Sequence, residues 1–226
     1  MTVLRLGTRG SQLALAQARL VADRLEAAAP GLAVELVTIA TAGDRDQATP
    51  LAAGERPGWF TTAIQEALQR GEVDIAVHSL KDLPTRRPQG LVIAAVPLRE
   101  DPRDALVSRT GAPLRSLPPG AVVGTSSPRR EAQLRELRPD LDIRPIRGNV
   151  ETRVRKVRDG EYDAAVVALA GLRRLGLETE AAEIFGFEEM LPAPGQGALA
   201  VECRADDARA RDPLARVDDP AVRLAV

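Results

Sequence analysis

The chain has 226 residues, 44% of them hydrophobic and 28% charged, enough apolar material for one large α/β domain or two of about 110 residues. A formal charge of −1 argues against a general nucleic-acid binder, and 2% aromatic content leaves no stacking platform for RNA. One cysteine and one histidine allow neither an internal disulfide nor a four-ligand zinc site.

No apolar run approaches the roughly 18 residues of a membrane span. The start MTVLRLGTRG has no apolar secretion-signal core, so the expectation is a cytoplasmic protein with no metal and no membrane partner. Val3–Thr8 reads as a strand, followed by a helix to about Ala28 that Ser11 can cap, with Leu13, Ala16, Leu20, Val21 and Leu25 on one face. A strand at Val34–Thr41 leads into a polar loop from Ala42 to Gly58. A helix follows at Phe60–Gln69, then strands at Val73–His78 and Leu91–Val96. The segment REDPRDA, Arg99 to Ala105, carries proline and charge without periodicity and reads as a crossover.

A second set begins with a strand at Ala121–Gly124 and a helix at Pro128–Leu137. Asp142–Ile146 is extended, Val150–Arg158 is helical, and Asp163–Ala170 is a further strand. LPAPGQGA, Leu191 to Ala198, is a second break before the strand-like ALAVECR, and DPAVRLAV starts a helix. Strands alternating with helices imply mostly parallel, doubly wound sheets. Two breaks around a central α/β set imply a discontinuous first domain, 1–98 plus 194–226, with a second domain, 99–193, inserted into it. That arrangement would leave an inter-domain cleft for a small molecule.

Ligands in open α/β sheets bind beyond the carboxyl ends of the strands, and here those ends are rich in arginine and hydroxyl groups. TRGS presents Arg9 and Ser11, and TSSPRR presents Thr125, Ser126, Ser127, Arg129 and Arg130. RGN brings Arg147 with Arg153 one turn on, and GLRRLG brings Arg173 and Arg174. Guanidinium forks beside free backbone N–H groups suit carboxylates or phosphates, so the inferred ligand is a polyanion. Any one of these arginines read alone is equally well a solvated surface charge. VHSLKDLPT adds Lys81 and Asp82; the acid either receives a cationic or N–H-bearing group or caps the turn before Pro84. His78 and Cys203 read as structural, and PGQG lacks the lysine and hydroxyl of a P-loop.

Taken in order, TRGSQLALAQ, TPLA followed by GWF, DIAVHSLKDLP, REDPRDA, GTSSPRR, RPDL, IRGNVETR, EYDAAVVALAGLRRLG and LPAPGQGALAVECR closely resemble successive signatures of the hydroxymethylbilane synthase (porphobilinogen deaminase) family. The resemblance covers essentially the whole chain. It implies a transferase of tetrapyrrole and haem biosynthesis that joins four porphobilinogen molecules head to tail with release of ammonia. It also implies an α/β fold of the two-lobed periplasmic-binding-protein type (type II), with parallel or mixed sheets.

By the same resemblance Asp82 is the catalytic carboxylate, which holds pyrrole N–H groups and stabilises the cationic azafulvene. Arg9, Ser11, Arg129, Arg130, Arg147, Arg153 and Arg174 bind the acetate and propionate groups of cofactor and substrate. Lys81, Gln17, Thr125, Ser126, Ser127 and Gln196 fall in the same loops, and Phe60 matches an aromatic that packs on a pyrrole ring. The family's dipyrromethane cofactor is thioether-linked to a cysteine in a Gly-Gly-Cys loop of a third domain. Nothing here matches that loop, so the expectation is the first two domains only, inactive or incomplete alone, monomeric, and needing a third domain to load cofactor. Ala53 and Pro57 stand where the family often has lysines of a mobile loop, and Ala42 where it sometimes has an arginine. The competing reading is a non-catalytic two-lobed binding module for a pyrrole or polycarboxylate.

Overall fold

The computed structural model describes residues 2–41 and 61–226. They divide into two compact units, one of residues 2–41, 61–100 and 198–226 and the other of residues 101–197. The strands of the described residues are β1 (Thr2–Thr8), β2 (Leu32–Thr38), β3 (Ile75–Ser79), β4 (Leu91–Ala95), β5 (Asp104–Ser108), β6 (Val122–Gly124), β7 (Asp142–Arg144), β8 (Ala164–Ala168), β9 (Glu183–Ile184) and β10 (Leu199–Arg204).

The first unit is built on a sheet of order β2-β1-β3-β10-β4 and the second on a sheet of order β7-β6-β8-β5-β9. In the first, β1 runs parallel to β2 and β3, while β10 is antiparallel to β3 and β4. In the second, β6 runs parallel to β7 and β8, while β5 is antiparallel to β8 and β9. Both sheets are therefore mixed rather than mostly parallel. The reversed strands, β5 and β10, are the first strands after the chain passes from one unit to the other, with no crossover helix before them to restore the parallel sense.

Both faces of each sheet carry buried apolar clusters, which is why an interior strand such as β8 is a short continuous apolar run. Along β8 the period of two is plain: Ala164 and Val166 join one cluster with Leu106, Val123 and Leu134, while Ala165 and Val167 join another with Ile146, Val154 and Leu172. In the first unit Leu4, Leu6 and Val21 pack on one face and Ile64, Leu68 and Val73 on the other. Gly7 permits the second contact, since a Cβ there would lie 3.0 Å from Val73 Cγ2.

The helix Gln12–Ala28 starts where Ser11 Oγ accepts the Ala14 N–H at 3.3 Å. Its buried face is Gln17, Ala18, Val21, Ala22 and Leu25. Of the face read from periodicity, Val21 and Leu25 are buried and Leu20 packs against the same core, while Leu13 and Ala16 are half-buried and Gln17, Ala18 and Ala22 complete the buried face. Alanines at 18 and 22 let the helix lie close to the sheet, so the line of closest approach runs through small residues. The helix Thr62–Gln69 covers the other face.

In the second unit the helix Pro128–Leu137 begins at Ser127, and the helix Val150–Arg158 begins at Asn149. REDPRDA is not wholly a crossover: Asp104 and Ala105 open β5, paired to Ala168 and Val167 of β8. The proline and the charges hid a strand whose apolar stretch, Ala105 to Val107, is three residues long.

Candidate active site

In the first unit the chain leaves β1 and β3 at the same edge of the sheet, because the two strands are parallel. β1 runs into Arg9 and the capped helix. β3 runs into a single 3₁₀ turn, Leu80–Asp82, closed by the Leu83 N–H on the Leu80 carbonyl at 3.1 Å. A small pocket of about 70 Å³ lies there, and Arg9, Ser11, Gln17, Thr61, His78 and Asp82 are among its lining residues.

Gln17 is buried and held by its amide, which donates to Ser79 Oγ at 3.0 Å. Ser11 both caps the helix and faces the pocket. Asp82 and Lys81 are exposed. His78 is buried, with Nε2 3.1 Å from Glu202 Oε2, and Gln65 donates to the same carboxylate at 3.0 Å. Phe60, and the loop containing Ala42, Ala53 and Pro57, lie outside the described residues.

In the second unit the carboxyl ends of β6, β7 and β8 share an edge with the first residue of β5. The three hydroxyls after β6 are largely occupied with local structure. Thr125 Oγ1 accepts the Ser127 N–H at 3.2 Å. Ser126 Oγ donates to the Ile146 carbonyl at 2.8 Å and accepts the Ile146 N–H at 3.1 Å, tying the loop after β6 to the loop after β7. Ser127 Oγ takes the Arg130 N–H at 3.5 Å as the helix cap. These serines thus shape the loop, and the sequence pattern alone could not tell that work from anion binding.

The arginines divide by surroundings. Arg130 is buried; its guanidinium donates to Asp104 Oδ1 at 2.6 Å and to the Val166 carbonyl at 2.9 Å. Arg129 is partly exposed and donates to Asp104 Oδ2 at 2.8 Å and to the Leu191 carbonyl. Gln196, fully buried, donates to Asp104 Oδ1 at 2.8 Å and to the Pro102 carbonyl at 2.7 Å. Burial pushes the Asp104 carboxyl up, and Arg130 and Arg129 more than reverse this, holding it below the usual carboxylate range.

Arg147 and Arg153 are half-buried on the loop and helix after β7, with Arg153 Nε donating to the Gly148 carbonyl at 3.0 Å. That turn requires glycine: φ is +107° and a Cβ would sit 2.5 Å from Thr152 Cγ2. Arg174 donates to the Gly197 carbonyl at 2.5 Å, whereas Arg173 is drawn to Glu178 at 2.8 Å. Asp104 was missed in the sequence because the only sign of it was an acid within a charged, proline-containing break.

Cys203 is buried in β10 beside Leu4 and Leu25, and burial, with the charge of Asp207, pushes its thiol up to about 11. A thiol so placed is a packing group at neutral pH. Among the described residues no group of three or more His, Cys, Asp or Glu side chains is arranged to hold a metal ion, and no helix is long and apolar enough to cross a membrane.

A family model described as porphobilinogen deaminase, dipyromethane cofactor binding domain, matches residues 4–212. The chain belongs to the porphobilinogen deaminase family. The porphobilinogen deaminase of Acidothermus cellulolyticus is 56% identical over 230 residues, spanning 100% of this chain and 69% of the relative. Those of Mycobacterium marinum and Roseiflexus castenholzii are 54% and 52% identical, spanning 99% of this chain and 70% and 74% of theirs.

In fold the chain is similar to solute-binding proteins. The methionine binding protein MetQ matches with a TM-score of 0.60 at 16% identity, over 99% of this chain and 93% of that one. An ancestral arginine-binding protein matches at 0.52 and 15%, over 96% and 91%. At such identity the likeness is one of architecture, a two-lobed α/β fold of the periplasmic-binding-protein type, and says nothing of ligand.

Proposed function

We propose that this member of the porphobilinogen deaminase family uses Asp82 as its catalytic carboxylate and the arginines of both units as receptors for the acidic side chains of its substrate and cofactor. The observation that carries this reading is the pocket of the first unit. There an exposed acid on a short turn shares a small concavity with Arg9, Ser11 and Gln17. Porphobilinogen brings two carboxylates and an aminomethyl group that leaves as ammonia, so a site for it needs fixed cations and one acid where positive charge develops.

Within that scheme Asp82 accepts hydrogen bonds from the pyrrole N–H. It stabilises the charge on the substrate as the carbon–nitrogen bond breaks and the amine departs. Arg9, Arg129, Arg147, Arg153 and Arg174 take the acetate and propionate groups, with Arg130 behind Arg129. Ser11 adds a hydroxyl, and Gln17 holds the pocket wall through Ser79. Lys81, exposed next to Asp82, adds a cation toward an acidic group of the growing chain.

The residues present fit a polycarboxylate cofactor, since the edge of the second unit gathers guanidinium groups on the loops and helices after three of its strands. A dipyrromethane bound there would supply the pyrrole carbon on which the chain grows. Its covalent anchor is not Cys203, which is enclosed in the core, and these 226 residues contain no second cysteine. Incubation of this chain with porphobilinogen should therefore leave an intact mass equal to the bare polypeptide. An adduct of two pyrrole units mapped to Cys203 would refute the assignment. Consumption of porphobilinogen with release of ammonia by the cofactor-loaded protein tests the reaction itself, and stoichiometric binding without ammonia would point to a binding module instead.

A further inference from the structure

We infer that Asp104 is the positioning residue for the arginine pair of the second unit, presenting Arg129 to acidic ligand groups while Arg130 and Gln196 fix the carboxylate in place. The inference rests on the proposal above that Arg129 receives such groups.

The guanidinium groups of Arg129 and Arg130, both drawn to one carboxylate at the start of the helix Pro128–Leu137, repel one another and sit at the positive end of the helix dipole. Asp104 answers both problems. Its carboxylate is wholly enclosed, and each oxygen takes a different guanidinium: Oδ1 at 2.6 Å from Arg130 and Oδ2 at 2.8 Å from Arg129. The two cations are thereby separated and aimed, and the trio retains a net charge of about +1 for a ligand.

The carboxylate cannot swing. Gln196 donates to Oδ1 at 2.8 Å, and the backbone of Asp104 is locked to Ala168 at the end of β8. Arg130, only 7% exposed at its side chain, is pinned further by the Val166 carbonyl. Arg129 keeps 25% of its side chain exposed, so it is the member of the pair that can still meet a ligand. Asp104 itself touches no ligand in this scheme and acts through Arg129.

The test is a double-mutant cycle read by calorimetric binding of porphobilinogen. It uses the parent chain, Asp104→Asn, Arg129→Ala and the double variant, each checked by circular dichroism for an intact fold. Asp104→Asn should weaken binding about tenfold to a hundredfold, the range of one charge-assisted contact. In the Arg129→Ala background the same change should matter by about twofold or less, because the group it positions is gone. A purely structural role would multiply the two losses instead, and that result overturns the proposal. Parent-like binding by Asp104→Asn overturns it as well, leaving the ligand role of Arg129 standing. Parent-like binding by Arg129→Ala would defeat that underlying role first. Should Asp104→Asn fail to fold, Gln196→Ala loosens the carboxylate while keeping its charge. A weakening that disappears in the Arg129→Ala background supports the proposal, and parent-like binding refutes it.

Discussion

Asp82 and Asp104 both stand at sheet edges that carry arginine, yet they live in opposite surroundings. Asp82 ends an exposed 3₁₀ turn whose geometry is set by backbone hydrogen bonding, so its carboxylate stays within reach of solvent and ligand. Asp104 opens a central strand, is fully enclosed, and receives two guanidinium groups and an amide. Under the proposed function, the difference lets one residue type do two jobs. An exposed acid can answer a charge that appears only during reaction, whereas an enclosed acid is committed to cations that are always present.

The sharpest way to break this comparison is at Asp82. Asp82→Asn in the cofactor-loaded protein should slow turnover by roughly 10²–10⁴-fold while porphobilinogen binding changes far less, since in the proposed scheme the acidic groups are held by the arginines. Parent-like turnover with the fold intact would remove Asp82 from the chemistry.

Asp104→Asn should act first on stability, by about 3–5 kcal/mol at neutral pH, because it strands two guanidinium groups around a neutral amide. The pH dependence follows from the lowered carboxyl of Asp104. A group with a depressed folded-state pKa contributes stability above its unfolded value, near 3.9, and loses it as pH falls through the lower folded value. The stability gap between parent and Asp104→Asn in denaturant titrations should hence stay flat from about pH 8 to pH 5 and narrow below about pH 4. A gap that widens on acidification would contradict the assignment.

Ser11→Ala sharpens the contrast at smaller scale. Losing the hydrogen bond to the Ala14 N–H should cost about 1 kcal/mol of unfolding free energy. Any further loss of porphobilinogen affinity measures what the hydroxyl gives the ligand. The smallest signal is that of Cys203: with its thiol at about 11 and enclosed, alkylation by iodoacetamide at pH 7.5, about three and a half pH units below, should be negligible until denaturant is added. Rapid native labelling would show that the strand opens.

Much of the chain was readable before any fold was in view. The helices Pro128–Leu137 and Val150–Arg158 have their sequence-derived bounds, because each has a capping-type residue immediately before it and an apolar period of a turn. The strands ending at Thr8 and Gly124, and the arginine-bearing loops beyond them, were set by local pattern in the same way. What local pattern could not supply was partnership across long sequence separations. Asp104 meets Arg130 across 26 residues and Gln196 across 92. Gln17 meets Ser79 across 62, and Glu202 reaches Gln65 across 137.

The sequence by itself determined the family and the α/β character, because these depend on residue type and near-neighbour spacing. Only the tertiary structure decided that both sheets are mixed, that Gln17, Ala18 and Ala22 join Val21 and Leu25 on the buried face of the first helix, and that Ser126 ties two loops together. It alone separated an enclosed, triply hydrogen-bonded Asp104 from an exposed Asp82. The reason is physical: burial and hydrogen-bond partnership are properties of distances between chain segments, and two aspartates that look alike in a sequence acquire different chemistry from what folds around them.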